Sequence, residues 1–231
     1  IASTLQRYVS GTSFNSQQDI QDAFAPEALL LLDKEEMDFW PVTVNEYASW
    51  FSTSKEGQFN GRIGNILAID YDGEIATAKV EILLPEKSLR YVDMFLLKKL
   101  ANGWKVISKA AVSSVTQKHG DKILFIVSNA HFHGDTDLPA GVSFGEIVKA
   151  FDAFTQAGYT VDFMSPKGGA IPLSYVNTSV PVHKQYLYDS DFMFAIGNTK
   201  NPQDIEPSEY KAVHYIGGTN AMYGVADDQA I

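Results

Sequence analysis

IGNILAIDYDGEIATAKVEILLPEKSLRYVDMFLLKKLANGWKVISK, residues 63–109, decides the fold of the first half of the chain. Its apolar positions fall into four long extended runs, 63–71, 74–83, 89–100 and 104–109. Asp72-Gly73 and Asn102-Gly103 punctuate them. Such pairs supply the positive-φ residues that tight hairpins need. Long strands joined by hairpins predict one antiparallel sheet. Upstream, the spacing is helical. Leu5, Tyr8 and Val9 share one face, and Ser16 can cap a second segment in which Ile20 and Phe24 stand four apart. Thr43 and Glu46 have the spacing of a capping box. Behind it, Tyr47, Trp50 and Phe51 form an aromatic face that reads as core beneath the sheet. Helices that precede a sheet cover one of its faces, so residues 1–115 are expected to form an α+β domain.

The grammar changes after residues 113–120, a polar stretch without periodicity that reads as a linker. Residues 122–128 are apolar without alternation, as in a strand buried on both faces. Ile147, Ala150, Phe151 and Phe154 keep helical spacing, and Gly158 stands where a helix C-terminus takes glycine. Residues 159–164 form the next strand, and the short apolar runs 191–196 and 212–216 read as further strands. Strand, helix, strand in this order predicts an α/β, doubly wound, mostly parallel sheet over residues 121–231.

Composition narrows the function classes. The chain has 231 residues, a formal net charge of -10 and no cysteine. An acidic chain lacks the basic face that a nucleic-acid partner requires. No polybasic run suits an anionic membrane surface, and no apolar run approaches the ~18 residues of a membrane-spanning helix. Disulfides and thiolate metal sites are excluded within these residues. Compartment stays open between cytoplasmic and periplasmic or secreted.

Three stretches of the second half resemble the ThiJ/PfpI family of the class I glutamine amidotransferase-like superfamily: KILFIVSNA (122–130), AGYTVDFMSPKGG (157–169) and GNTKNPQDIEPSEYKAVHYIGG (197–218). In the first half, YVSGTSFNSQQDIQDAFAPEALLLL (8–32) and YVDMFLLKKLANGWKVISK (91–109) resemble SnoaL-like and lumazine-binding-like members of the nuclear transport factor 2-like cone fold. The ThiJ/PfpI resemblance implies a flavodoxin-like sheet and a cysteine-dependent hydrolase, amidase, protease or glyoxalase-like enzyme. Its nucleophilic cysteine is expected on an elbow one helix and one strand after Gly217-Gly218. The helix would begin at Ala226, so the nucleophile is expected outside this chain. The domain would then be incomplete here, and this chain alone inactive.

The same resemblance gives Glu146 the role of tuning that thiolate. Ser143 and Glu146 also have capping-box spacing, which is the plainer reading of the carboxylate. Gly217 and Gly218 can offer bare backbone N–H groups to a substrate, with Thr219 on the same rim. His131, His133 and Asp135 have a two-His-one-carboxylate spacing, but a polar loop at a strand end explains them more simply, and no metal or other cofactor is expected. His214 reads as a core histidine. In the first half, Tyr91 and Asp93 share one face of a strand that would line a cone-fold pocket. Asp93 could be an acid or base there, as carboxylates are in some SnoaL-like enzymes; a solvated or paired carboxylate on an open sheet face is the plainer reading. The expected partner is a small-molecule or peptide substrate, and the expected assembly a homo-oligomer, a dimer. The alternative to an enzyme is a non-catalytic binding or assembly protein that uses the cone-fold pocket.

Overall fold

The computed structural model describes residues 1–34, 37–226, 228–229 and 231. The chain divides into two compact units, Ile1–His119 and Gly120–Ile231.

The first unit opens with α1 (Ala2–Ser13) and α2 (Gln17–Ala23). The Ser16 hydroxyl caps α2 by accepting from Asp19 N. β1 (Phe24–Lys34) and β2 (Met37–Thr43) follow. Thr43 then caps α3 (Val44–Ser49), its hydroxyl accepting from Glu46 N. β3 (Ile63–Asp72), β4 (Ile75–Leu84), β5 (Leu89–Leu100) and β6 (Gly103–Val115) complete a sheet ordered β2-β1-β6-β5-β4-β3. Leu5 and Tyr8 of α1, Ile20 of α2 and Tyr47 of α3 pack with Val80, Ile82, Phe95 and Leu97 on one face of this sheet.

Two expectations need correction. The sheet is mixed, because β1 runs parallel to β6 while the other neighbours are antiparallel. β1 and β2 were also not foreseen. Each carries a proline, which argues against a strand. Pro41 is tolerated because β2 lies at the sheet edge, and Pro26 falls where the β1–β6 register shifts, between Phe24 and Leu29.

The second unit has a parallel sheet ordered β11-β7-β9, built from β7 (Lys122–Ile126), β9 (Thr160–Met164) and β11 (Tyr210–Tyr215). A two-stranded pair joins β8 (Val142–Ser143) to β10 (Leu173–Ser174). α4 (Phe144–Gln156), α5 (Pro181–Leu187) and α6 (Ser190–Gly197) pack on the sheet face that carries Ile123, Phe125, Val161 and Phe163. The opposite face carries Leu124, Ile126 and Met164 beneath Pro202, Ile205 and Pro207.

Residues 191–196, expected as a strand, lie in α6. The Asp189 carboxylate caps it, accepting from Asp191 N and Phe192 N. A short apolar run cannot be assigned by periodicity alone, and here the cap decides. Residues 212–215 of the run read as a strand lie in β11, an edge strand with Val213 59% exposed. Residues 219–226 form turns and bends, and the helix expected from Ala226 runs into positions outside the described residues. Among the described residues, no helix is long and apolar enough to cross a membrane.

Candidate functional site

The helix-covered face of the first sheet opens into a cavity of about 490 Å3. Its walls include Trp40, Tyr47, Trp50 and Phe51 from β2, α3 and the turn after it, Arg62 ahead of β3, Tyr91 and Asp93 of β5, and Lys109 of β6. Trp40 stacks on Trp50 with ring centres 5.2 Å apart, and Tyr47 meets Phe51 edge-on at 5.5 Å. The aromatic face read as core divides: Tyr47 and Phe51 are buried and also wall the cavity, whereas Trp50, at the rim, is 47% exposed and is not core.

Asp93 is the centre of a buried network. Its Oδ2 accepts from Tyr8 Oη at 2.6 Å and lies 3.0 Å from Lys109 Nζ. Lys109 Nζ also donates to Tyr8 Oη at 2.8 Å, and Tyr47 Oη lies 3.1 Å from the same oxygen. Tyr8 has one proton and gives it to Asp93, so Tyr47 is the donor in that last bond. Burial, reinforced by Asp93 and Tyr47, pushes the Tyr8 phenol well above its ordinary value and keeps it protonated. The ammonium of Lys109 also lies over the Tyr47 and Tyr8 rings, at 4.8 and 5.0 Å.

Tyr91 and Asp93 thus share the cavity wall, and Asp93 is paired but buried, not solvated on an open sheet face. Sequence reading missed Tyr8 as a polar group, Lys109, Arg62 and Trp40. Lys109 was hidden by a bulge. Leu97 pairs with Val106, but Leu96 pairs with Ser108, so Ile107 is the extra residue. Without that shift Lys109 would sit opposite Met94, which is 50% exposed, instead of Phe95, which is buried. Nothing in the irregular segment before β3 marks Arg62.

In the second unit, Glu146, Gly217, Gly218 and Thr219 come together where β11 ends. Glu146 Oε2 accepts from Gly217 N at 3.0 Å. Ser143 N donates to Gly217 O at 3.2 Å, and Thr219 Oγ1 accepts from Gly141 N at 3.0 Å. The Ser143 hydroxyl makes no capping bond, so the alternative capping-box reading is not realised. Glu146 is also exposed.

His131 and Asp135 are exposed, His133 packs edge-on against Tyr223 at 5.8 Å, and among the described residues no group of three His, Cys, Asp or Glu could hold a metal. His214 lies between Phe125 and Phe154, at 4.9 and 6.0 Å.

Residues 1–110 match the family model described as putative lumazine-binding, a match that ends before the second unit. With the sheet order, it gives the first unit a lumazine-binding-like, nuclear transport factor 2-like α+β cone fold. Among solved structures, an NTF2-like protein of unknown function from Shewanella baltica is 18% identical, with a TM-score of 0.44 over 50% of this chain and 91% of its own. An NTF-2 like protein of unknown function from Silicibacter pomeroyi is 14% identical, with a TM-score of 0.43 over 49% of this chain and 92% of its own. Rapid Encystment Protein 24 KDa of Francisella tularensis is 19% identical, with a TM-score of 0.45 over 48% of this chain and 50% of its own. No curated protein matches the chain.

Proposed function

We propose that the first unit is a non-catalytic small-molecule-binding domain whose ligand occupies the cavity over Asp93. The observation that carries this reading is the engagement of Asp93. Its Oδ2 is held by Tyr8 at 2.6 Å and by Lys109 at 3.0 Å, both buried with it. A carboxylate so fixed builds a rigid floor. Using Oδ2 as a base would disrupt both of these bonds. The walls are aromatic and the volume is that of an ordinary ligand pocket. The family description names lumazine, a flat heteroaromatic, and paired rings such as Trp40 and Trp50 suit a flat guest.

Titration with lumazine, read by tryptophan fluorescence, tests this. Saturable quenching that is lost when Trp40 and Trp50 are both replaced by Phe supports the proposal. Quenching that survives the double replacement, or no quenching at all, contradicts it.

A second reading concerns the second unit, which on its sequence resemblance is ThiJ/PfpI-like, with Glu146 set against a thiolate supplied from outside these residues. Two features support it. Glu146 reaches Gly217 N at 3.0 Å, and the order β11-β7-β9 sends successive connections to opposite sides of β7. In such sheets, ligands bind at the carboxyl ends of the strands where the order reverses, and Gly217 and Gly218 follow the end of β11. Sequencing the gene past Ile231 tests it. A cysteine on a strand-to-helix elbow supports this reading, and continuation without one contradicts it.

The homodimer would form through the open face of the first sheet, where Leu96, Met94 and Val112 are 41%, 50% and 58% exposed.

A further inference from the structure

The cavity of the first unit contains a cation with no salt-bridge partner among the described residues. Its lining holds Arg62, Lys87 and Lys109 against Asp33 and Asp93. Asp93 and Lys109 satisfy each other at 3.0 Å. Asp33 and Lys87 are exposed, where water screens them. Arg62 remains.

Its guanidinium carbon lies 5.7 Å from the Phe51 ring centre and 5.7 Å from that of Tyr91. Nε is buried without a hydrogen-bond partner. Burial opposes the charge, but the oxygens of Tyr47, Tyr8, Asp93 and Tyr91 outweigh it and hold the guanidinium protonated. The stem is held in place. Arg62 N donates to Asn60 Oδ1 at 3.1 Å, and Asn60 Nδ2 in turn donates to Thr12 O at 2.7 Å and Asn15 Oδ1 at 3.0 Å. The backbone is thus locked while the charged head faces rings.

The donor balance points the same way. Lys109 has three N–H groups, of which Tyr8 and Asp93 take two. Tyr47 spends its proton on Tyr8, as shown above. One Lys109 donor and Arg62 Nε are therefore left for an acceptor to take. A buried donor such as Arg62 Nε left without an acceptor is costly, and the cost is removed when a ligand brings one.

We infer that the cavity takes a flat aromatic carboxylate. Its ring lies among Trp40, Trp50, Phe51 and Tyr91, and its carboxylate is gripped by Arg62. This rests on the reading of the cavity as a binding site. A carboxylate fits better than a phosphate for two reasons: one unpaired buried cation matches a monoanion, and the planar fork of arginine matches a planar two-oxygen acceptor.

Binding of 1-naphthoate and of its neutral isostere 1-naphthamide to the whole chain, followed by calorimetry at pH 7, tests the inference. The unsubstituted protein should bind the naphthoate about tenfold or more tightly than the amide. Arg62→Gln should bring the two within about twofold of each other, chiefly by weakening the naphthoate. Arg62→Lys, which keeps the charge without the fork, should keep part of the preference. Equal binding of both compounds by the unsubstituted protein would overturn the inference and leave the binding-site reading standing. A preference that survives Arg62→Gln would also overturn it. Binding of neither compound would overturn the inference and the reading beneath it.

Discussion

Lys109 and Asp93 meet diagonally across β5 and β6, Nζ to Oδ2 at 3.0 Å, with side chains only 3% and 2% exposed. Each is the other's opposite charge in a buried site, so removing one strands a buried ion. Asp93→Asn or Lys109→Met alone should cost about 3–5 kcal/mol. The double variant should recover a large part of that, because it leaves no uncompensated ion. Urea unfolding of the four forms gives the coupling directly. Additive single losses would show that the pair is not a unit.

Acid should loosen each unit at its own buried carboxylate. Burial opposes ionisation of Asp162, but Lys200 at 2.7 Å, Lys122 and Tyr210 more than offset it and hold its pKa below the ordinary aspartate value. Glu81 is likewise opposed by burial and held below 4.5 by Lys118 and Arg90. A depressed folded-state pKa means that stability is full above the unfolded value and is lost as pH falls through the folded one. Stability should therefore decline below about pH 4. Asp162→Asn should lower stability at pH 7 and flatten that decline for the second unit, as followed by tryptophan-independent circular dichroism. An unchanged acid profile would contradict the assignment.

The two adjacent glycines after β11 should respond very differently to alanine. At Gly217 an added Cβ meets the end of the Glu146 side chain at 2.4 Å, and that side chain can move away. At Gly218, with φ +135°, it meets Ser143 N at 2.5 Å and Gly141 O at 2.6 Å, which are backbone atoms. Gly218→Ala should cost at least about 2 kcal/mol, from strain and overlap together. Gly217→Ala should cost clearly less. Thermal melts of both compare them, and equal losses would mean that the turn is more rigid at Glu146 than its exposure allows.

How far the fold was legible depended on whether local signals agreed with the tertiary outcome. The hairpins at Asp72-Gly73 and Asn102-Gly103, the caps at Ser16 and Thr43, and the glycine after α4 all appear where expected. Tyr91 and Asp93 could be placed on one wall by simple alternation. Their partner Lys109 could not, because the bulge at Ile107 inverts the face of the strand beyond it. Tyr8 looked like one more apolar position on α1, and only its opposite strand shows that its hydroxyl has work to do. β1 and β2 were lost to prolines that an edge strand and a register break tolerate.

The open face of the first sheet should hold two copies together. Met94→Lys with Val112→Lys places charge on that face and should convert a dimer to a monomer in light scattering. A monomeric mass for the unsubstituted chain would contradict the assembly.

The most direct test of the account is which tryptophans report the ligand. The chain has three tryptophans, of which Trp40 and Trp50 line the cavity and Trp104 does not. In nitrogen-15 correlation spectra titrated with 1-naphthoate, the indole signals of Trp40 and Trp50 should move and that of Trp104 should stay. Movement of Trp104 with Trp40 and Trp50 unaffected, or shifts confined to residues of the second unit, would contradict binding over Asp93.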